Sequence, residues 1–214
     1  MVGEALEPVV RLVAVTIGGT ATYHGRTDLP PLVAAAADLA ERTGFDLSCL
    51  PAHGRLLSVL AAGRPGGRIG ETGTGCGVGL AWLATAADPS SSLVSIELDP
   101  ERAAAARDLF AGVPNVTVLR GDWSDLEAHG PFDLLALDGG GGGKSGEEPI
   151  DPRRWLAPGG TVVLDDFTPR TAWPPAHPQG GSDRPRLHWL EHPDLLTTEV
   201  VTGPASCTLV ATLR

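Results

Sequence analysis

The 214-residue sequence predicts an α/β fold with a mostly parallel sheet and helices on both faces. Three observations predict it. From Gly67 to Leu164, short apolar runs of strand length alternate with helical stretches, the rhythm of a parallel sheet covered on both sides. The first of these strands enters a glycine-rich turn that opens a helix, and such sheets bind ligands in the crevice at their carboxyl ends. The chain then ends on two apolar runs joined by Gly203-Pro204-Ala205, the pattern of a closing antiparallel hairpin.

Residues 1–62 read as a helical segment. Its first apolar stretch, Val9 to Ile17, fits either helix or strand. Asp28-Leu-Pro-Pro is a helix-start signal, and the alanine-rich run to about Arg42 is a strong helix former. A second helix is expected over Pro51–Ala62, stopped by Gly63 and Pro65. The core at 67–166 then reads strand Arg68–Glu71, helix Val78–Ala87, strand Leu93–Glu97 and helix Pro100–Ala111. Asp99 caps that helix and proline takes its first position. Strands Val116–Leu119 and Phe132–Asp138, a helix Glu147–Leu156 and a strand Thr161–Leu164 complete the core. In the tail, 167–214, a long loop rich in Pro and Gly covers 168–186, and Arg186–Glu191 forms a short helix. Thr198–Val201 and Cys207–Leu213 then make the closing hairpin, which brings the sheet to seven strands. The whole chain, 1–214, suits one domain.

Composition narrows the function. The formal net charge of −10 disfavours a broad phosphate-binding face, because affinity for nucleic acid depends on Lys and Arg. A small-molecule acceptor fits better, with no nucleic-acid partner. No apolar run is long enough to span a bilayer, so no membrane partner is expected. Two glutamates and no basic region precede the first apolar stretch, unlike a secretory signal. Cys49, Cys76 and Cys207 are odd in number and widely spaced, as free thiols in a reducing cytoplasm would be. Lys144 is the only lysine, and lysine, unlike arginine, can give up its proton when its pKa is depressed.

The central motif is Glu71-Thr-Gly73-Thr-Gly75-Cys-Gly77. It is not the dinucleotide fingerprint. Counted from Gly73 the sixth position is Val78, and from Gly75 it is Leu80, so an NAD-dependent oxidoreductase is disfavoured. One strand-helix-strand later stands Glu97, a carboxylate able to accept both hydroxyls of a ribose. After the third strand come Asp122 and Trp123, an acid for an adenine amino group and a ring on which adenine can stack.

ETGTGCG, SIELDPERAAAA, LRGDW, PFDLLALDGG and LAPGGTVVLDD, in this order over roughly residues 50–166, resemble the class I S-adenosylmethionine (SAM)-dependent methyltransferases. The resemblance implies a Rossmann-like fold in which Glu71, Gly73, Gly75 and Gly77 hold the methionine part of SAM. Glu97 would take the ribose, and Asp122 with Trp123 would border the adenine. Within that superfamily the chain is most similar to the catechol-type, metal-dependent O-methyltransferases, through the Leu50-Pro-Ala-His-Gly54 segment and through three acids. Asp138 ends the fourth strand, and Asp165 and Asp166 end the fifth. By resemblance these three hold Mg²⁺ or another divalent cation, although this chain has Asp166 where the family usually has Asn. Three carboxylates at adjacent strand ends repel unless neutralised, and a hard cation with oxygen ligands would chelate and activate an acceptor hydroxyl.

The resemblance also makes Lys144, with Asp138, the catalytic group, Lys144 as general base; a solvated loop lysine is the alternative reading. The spacing between the two is longer than in the family, so the glycine loop between them must fold back. O-methylation of a small aromatic or catechol-like molecule is the expected reaction. A metal-independent N-, C- or O-methyltransferase and a non-catalytic SAM-binding protein are the alternatives. A homodimer is expected by the same analogy, and the N-terminal helices are expected in the acceptor site or an oligomer contact. His53 reads as a surface or capping residue, and His177, His188 and His192 lack zinc-site spacing. Trp173 and Trp189 either line an acceptor pocket or pack beneath the long loop.

Overall fold

The structure, a computed structural model, describes residues 18–177 and 180–214; the ambiguous stretch Val9–Ile17 lies outside them. A 3₁₀ turn, Thr20–Tyr23, leads into α1 (Pro31–Thr43) and α2 (Pro51–Ala62). The core follows as β1 (Arg68–Thr72), α3 (Val78–Ala86), β2 (Ser92–Glu97), α4 (Pro100–Phe110), β3 (Val116–Arg120) and β4 (Phe132–Leu137). Then come α5 (Pro152–Trp155), β5 (Leu156–Phe167), α6 (Arg184–Leu190), β6 (Leu195–Val201) and β7 (Cys207–Leu213). The seven strands form one sheet in the order β3-β2-β1-β4-β5-β7-β6. β7 runs antiparallel to both of its neighbours, and the pairs among β1 to β5 are parallel. The mixed, mostly parallel sheet expected from the sequence is what forms.

Helix starts follow the chemistry of their first residues. Pro31, Pro51 and Pro100 each open a helix near N1, where their missing N–H costs nothing. Asp99 accepts from the Glu101 and Arg102 amides as the cap of α4. The expected helix Glu147–Leu156 shrinks to Pro152–Trp155. Glu147 cannot enter a helix because its carboxylate turns back to accept the amides of Gly143 and Ser145. Pro149 supplies no N–H, so helix formation waits for Asp151 to cap Pro152. The fifth strand is longer than the expected Thr161–Leu164: it begins at Leu156 beside Phe132 and crosses a register shift before pairing with Leu134.

Alternation along the central strands divides the core into two layers. Leu134, Ala136 and Val163 join the layer under α1 to α4, whereas Leu135, Leu137, Val162 and Leu164 join the one containing Trp155 and Trp189. Both faces are apolar, as a covered parallel sheet requires. The N-terminal helices are keyed onto this body at two points. Gly54 of α2 sits against the Trp82 ring of α3, so close that a Cβ there would lie 2.2 Å from ring atoms. Trp82 Nε1 donates to the Tyr23 hydroxyl, which in turn donates to the Cys49 carbonyl. At the other end, the fully buried Arg186 of α6 ties Asp183, Glu199 and the Thr168 carbonyl together and so fixes both ends of the 168–183 loop.

Glu71, on β1, is buried beneath the turn into α3. Ser95 of β2 donates to its Oε2 at 2.5 Å, and its Oε1 lies where a Cβ on Gly79 would be. Burial, chiefly, pushes its carboxyl up from 4.5 to about 8. No helix among the described residues is long and apolar enough to cross a membrane.

Two outcomes follow from this packing. Gly54→Ala overpacks the α2–α3 contact and should cost about 1–3 kcal/mol, seen as a Tm lowered by roughly 2–4 °C for each kcal/mol. Glu71 keeps its proton in the folded state to a higher pH than in the unfolded state. Its stabilising contribution is therefore complete below its ordinary pKa and is lost as pH rises through about 8. Glu71→Gln stays neutral and can still accept from Ser95, so its Tm should decline less than the parent's between about pH 5 and about pH 9, by roughly 5–10 °C. Parallel melting curves for the two proteins would remove Glu71 as the source.

Candidate active site

The turn from β1 to α3 needs glycine at three places. Gly73, Gly75 and Gly77 have φ of 80°, 55° and 89°, values that side chains disfavour. Gly73 also meets Gly139, which follows β4, so closely that a Cβ on either would lie 2.4 Å from the other's Cα. The carboxyl ends of β1 and β4 thereby meet at a single point. Above this point opens a cleft of about 310 Å³, walled by Gly73, Gly75, Glu97, Asp122, Trp123 and Asp138 among others.

Of the residues expected at the methionine part of a bound SAM, Gly73 and Gly75 line the cleft. Glu71 and Gly77 lie behind it, Glu71 under the turn and Gly77 against Phe110 at the start of α3. They shape the loop and do not line it. Glu97 ends β2 with its carboxylate in the cleft wall. Its Oε2 accepts the Gly75 amide at 2.7 Å, and its Oε1 accepts the Asp99 amide and the Arg102 guanidinium. Arg102 Nε also donates to Oε1, which is thereby filled, whereas Oε2 takes the Gly75 amide and retains an acceptor position for a ribose hydroxyl. Asp122 caps the 3₁₀ segment Trp123–His129, taking the Ser124 amide and hydroxyl on Oδ1. The Ser124 hydroxyl and amide hold the Asp122 carboxyl below its ordinary pKa. Trp123 packs over Gly140 and lines the same cleft. Phe45 and Leu47, from the α1–α2 connection, add an apolar wall that the motif reading missed.

Asp138, Asp165 and Asp166 do come together: one carboxylate oxygen from each lies within 4.8 Å of the other two. Consecutive strand residues face opposite sides of a sheet, so a regular β5 could not present both Asp165 and Asp166. The β5–β7 register shifts between Leu164 and Phe167, and Asp166 adopts φ 61°. This left-handed conformation is one that Asp tolerates better than most residues. The irregularity turns both carboxylates toward Asp138. Burial, and then the charges of Asp165 and Asp166, push the Asp138 carboxyl well above its ordinary value.

Lys144 completes the cluster. The loop after Asp138 does fold back, anchored where Trp189 Nε1 donates to the Gly142 carbonyl and Glu147 accepts the Gly143 amide. Lys144 Nζ reaches the Asp165 carbonyl at 3.2 Å and Asp165 Oδ1 at 3.4 Å, with Asp166 Oδ2 at 3.9 Å. The charges around Lys144 favour its ammonium form. Burial disfavours the ammonium, but Asp165, Asp166 and Asp138 outweigh it and raise the pKa. Burial likewise opposes the charge of Asp165, while His53 and Lys144 together hold its carboxyl below the ordinary value. Burial lowers the pKa of His53, against the charge of Asp165, which raises it. His53 is neither at the surface nor a cap: its side chain is buried between Thr208 and Asp165. Trp189 is core, while Trp173 is exposed beside Arg170.

A divalent cation fits this donor set. The three acids offer hard oxygen ligands at one point, and Asp165 Oδ2 is buried with no hydrogen-bond partner, a costly state unless another group compensates it.

Comparison with known proteins agrees with this geometry. Residues 71–167 match the family model of a methyltransferase domain. A catechol O-methyltransferase of Niastella koreensis is 32% identical over 116 residues, covering 50% of this chain and 52% of that protein. A catechol O-methyltransferase of Mycobacterium tuberculosis is 37% identical over 119 residues, covering 52% and 53%. The chain thus spans about half the length of these curated relatives. Among solved structures, the O-methyltransferase TomG from Streptomyces achromogenes, in complex with SAM, superposes with a TM-score of 0.65 at 24% identity, over 87% of this chain and 91% of that one. A Bacillus cereus O-methyltransferase in complex with SAH gives 0.67 at 17% identity, over 92% and 96%; at these identities the likeness is one of fold. The glycine turn, the cleft and the acids at the strand ends thus fall in or beside a segment that matches a methyltransferase domain, within a fold shared with O-methyltransferases solved with SAM or SAH.

Proposed function

We propose that the protein transfers a methyl group from SAM to a hydroxyl of a small, aromatic or catechol-like molecule, with a divalent cation such as Mg²⁺ at Asp138, Asp165 and Asp166. One observation carries this reading. The irregular end of β5 brings two consecutive carboxylates onto a third, at the rim of the cleft that holds Gly73, Gly75 and Glu97. Asp138 and Asp166 both line that cleft, so the cofactor and cation sites share a wall.

The chain's own residues have separate tasks in this reading. Gly73 and Gly75 admit the cofactor to the backbone, Glu97 fixes its ribose, and Trp123 and Asp122 border its adenine. When bound, the cation would chelate the acceptor oxygens, lower the acceptor's pKa and offset the carboxylates that hold the proton on Lys144. Lys144 Nζ stands where it can take the acceptor's proton, 3.4 Å from Asp165 Oδ1. Asp138 bridges the two sites. SAM supplies the reactive methyl, and the protein's contribution is alignment and charge.

A second reading rests on the same lysine. The Lys144 ammonium already lies against Asp165 and Asp166, so it can serve as their counter-charge in a metal-independent methyltransferase. The two readings separate in a titration of Mg²⁺ into protein loaded with S-adenosylhomocysteine, followed by turnover assays on catechols. The metal-dependent reading expects saturable binding that Asp165→Ala abolishes, and activity that chelation removes. Activity unchanged by chelation would leave the second reading. Lys144→Met should lower kcat by about 10²–10⁴-fold with a smaller change in KM; full turnover with an unchanged pH profile would remove Lys144 from the chemistry.

A further inference from the structure

We propose that His53 is a positioning residue of the acid cluster: anchored by Thr208 at one ring nitrogen, it restrains Asp165 Oδ2 with the other and presets that carboxylate for a divalent cation. The inference rests on the cation reading above and adds a residue from outside the matched domain.

The observations are geometric. His53 lies in the first turn of α2, buried at 5% exposure. Its Nδ1 is 2.9 Å from the Thr208 hydroxyl on β7, itself fully buried. Its Nε2 lies 3.8 Å from Asp165 Oδ2, the oxygen that has no hydrogen bond. Lys144 Nζ lies by the other oxygen, Oδ1, at 3.4 Å. The Asp165 carboxylate is thus bracketed, with one nitrogen group at each oxygen.

The carboxylate selects the tautomer, and the threonine hydroxyl accommodates it. A hydroxyl can donate or accept. When Thr208 donates to Nδ1, the ring proton sits on Nε2 and faces the carboxylate; the opposite arrangement would set a lone pair against a carboxylate oxygen. The electrostatically sound tautomer therefore points an N–H at Oδ2. At 3.8 Å this is longer than a hydrogen bond. The imidazole restrains the carboxylate yet leaves the oxygen's lone pairs available. His53 is not itself one of the group whose donor atoms lie together, which comprises Asp138, Asp165 and Asp166. It acts through Asp165. The ring also borders a small hollow shared with Leu50, Asp166, Thr202 and Ser206, so it faces the site and is not simply core filling. Outer partners of this kind commonly change metal affinity by about 10–100-fold.

The test measures binding of Mg²⁺ alone, by calorimetry, to protein loaded with S-adenosylhomocysteine, with melting temperature and S-adenosylhomocysteine affinity as controls for folding. His53→Leu should weaken the cation Kd by about 10–100-fold. His53→Gln, whose amide can present an N–H near the position of Nε2, should restore most of the affinity. Thr208→Val removes only the anchor and should weaken binding several-fold in the same direction; it decides the matter if His53→Leu fails to fold. Cation affinity within twofold of the parent in folded His53→Leu, or in Thr208→Val, overturns the inference while the cation reading stands. A parent protein that binds no divalent cation overturns both.

Discussion

The site is organised around the crowding of negative charge at the carboxyl ends of β4 and β5. Three aspartates converge within 4.8 Å, an arrangement that costs free energy unless the charges are neutralised or offset. The surrounding structure answers that cost from several directions. The glycine loop returns Lys144 to Asp165 and Asp166. Trp189, in the core, holds that loop through the Gly142 carbonyl. α2 delivers His53 to the remaining oxygen of Asp165. Even the strain of Asp166 at φ 61° belongs to this arrangement, since backbone strain persists only where the surroundings over-determine it.

The cleft above β1 and β4 depends on a related constraint, the contact of two backbones. Gly73 and Gly139 leave no room for a Cβ on either chain segment, and this brings the β1 turn against the start of the lysine loop. The cofactor wall and the acid cluster are therefore built from the same few residues. Asp138, next to Gly139, lines the cleft and also contributes to the cluster. In an in-line transfer, the methyl donor and the acceptor oxygen must be held at one fixed separation. On the proposed reading, Asp138 and Asp166, which belong both to the cleft wall and to the acid cluster, set that separation.

The sequence made the sheet legible because glycines and prolines punctuate it. The helix Pro51–Ala62 and the strand Cys207–Leu213 have the boundaries that their stop signals indicate. The helix expected from Glu147 failed because periodicity is silent about a side chain that turns back onto its own loop. At the site, the glycines, Glu97 and the three acids could be read from spacing and resemblance. Their convergence could not, since it depends on a register shift and one left-handed residue. The retained lysine was a visible signal, but the sign of its pKa shift depends on charges from β4 and β5 that sequence distance hides. His53 shows the same limit more sharply. Its partner Thr208 is 155 residues away, and nothing local to Leu50-Pro-Ala-His distinguishes a buried imidazole from a solvated one.

The matched segment, residues 71–167, contains the glycine turn, Glu97, Asp122, Trp123, the lysine loop and all three acids. The groups that border the cluster away from the cofactor cleft lie outside it: Leu50 and His53 come before it, and Thr202, Ser206 and Cys207 come after. Tyr23, Cys49 and Trp82 hold the first set in place, and the buried Arg186 network holds the loop leading toward the second. Both sets are anchored to the sheet through buried polar contacts, which specify position more strictly than apolar packing does. On the proposed reading, most of the donor half belongs to the matched segment, with Phe45 and Leu47 added from before it. The flanks α2 and the β6–β7 turn border the hollow beside Asp165, so on the same reading a side-chain change there alters the surroundings of the acid cluster from the side away from the larger cleft.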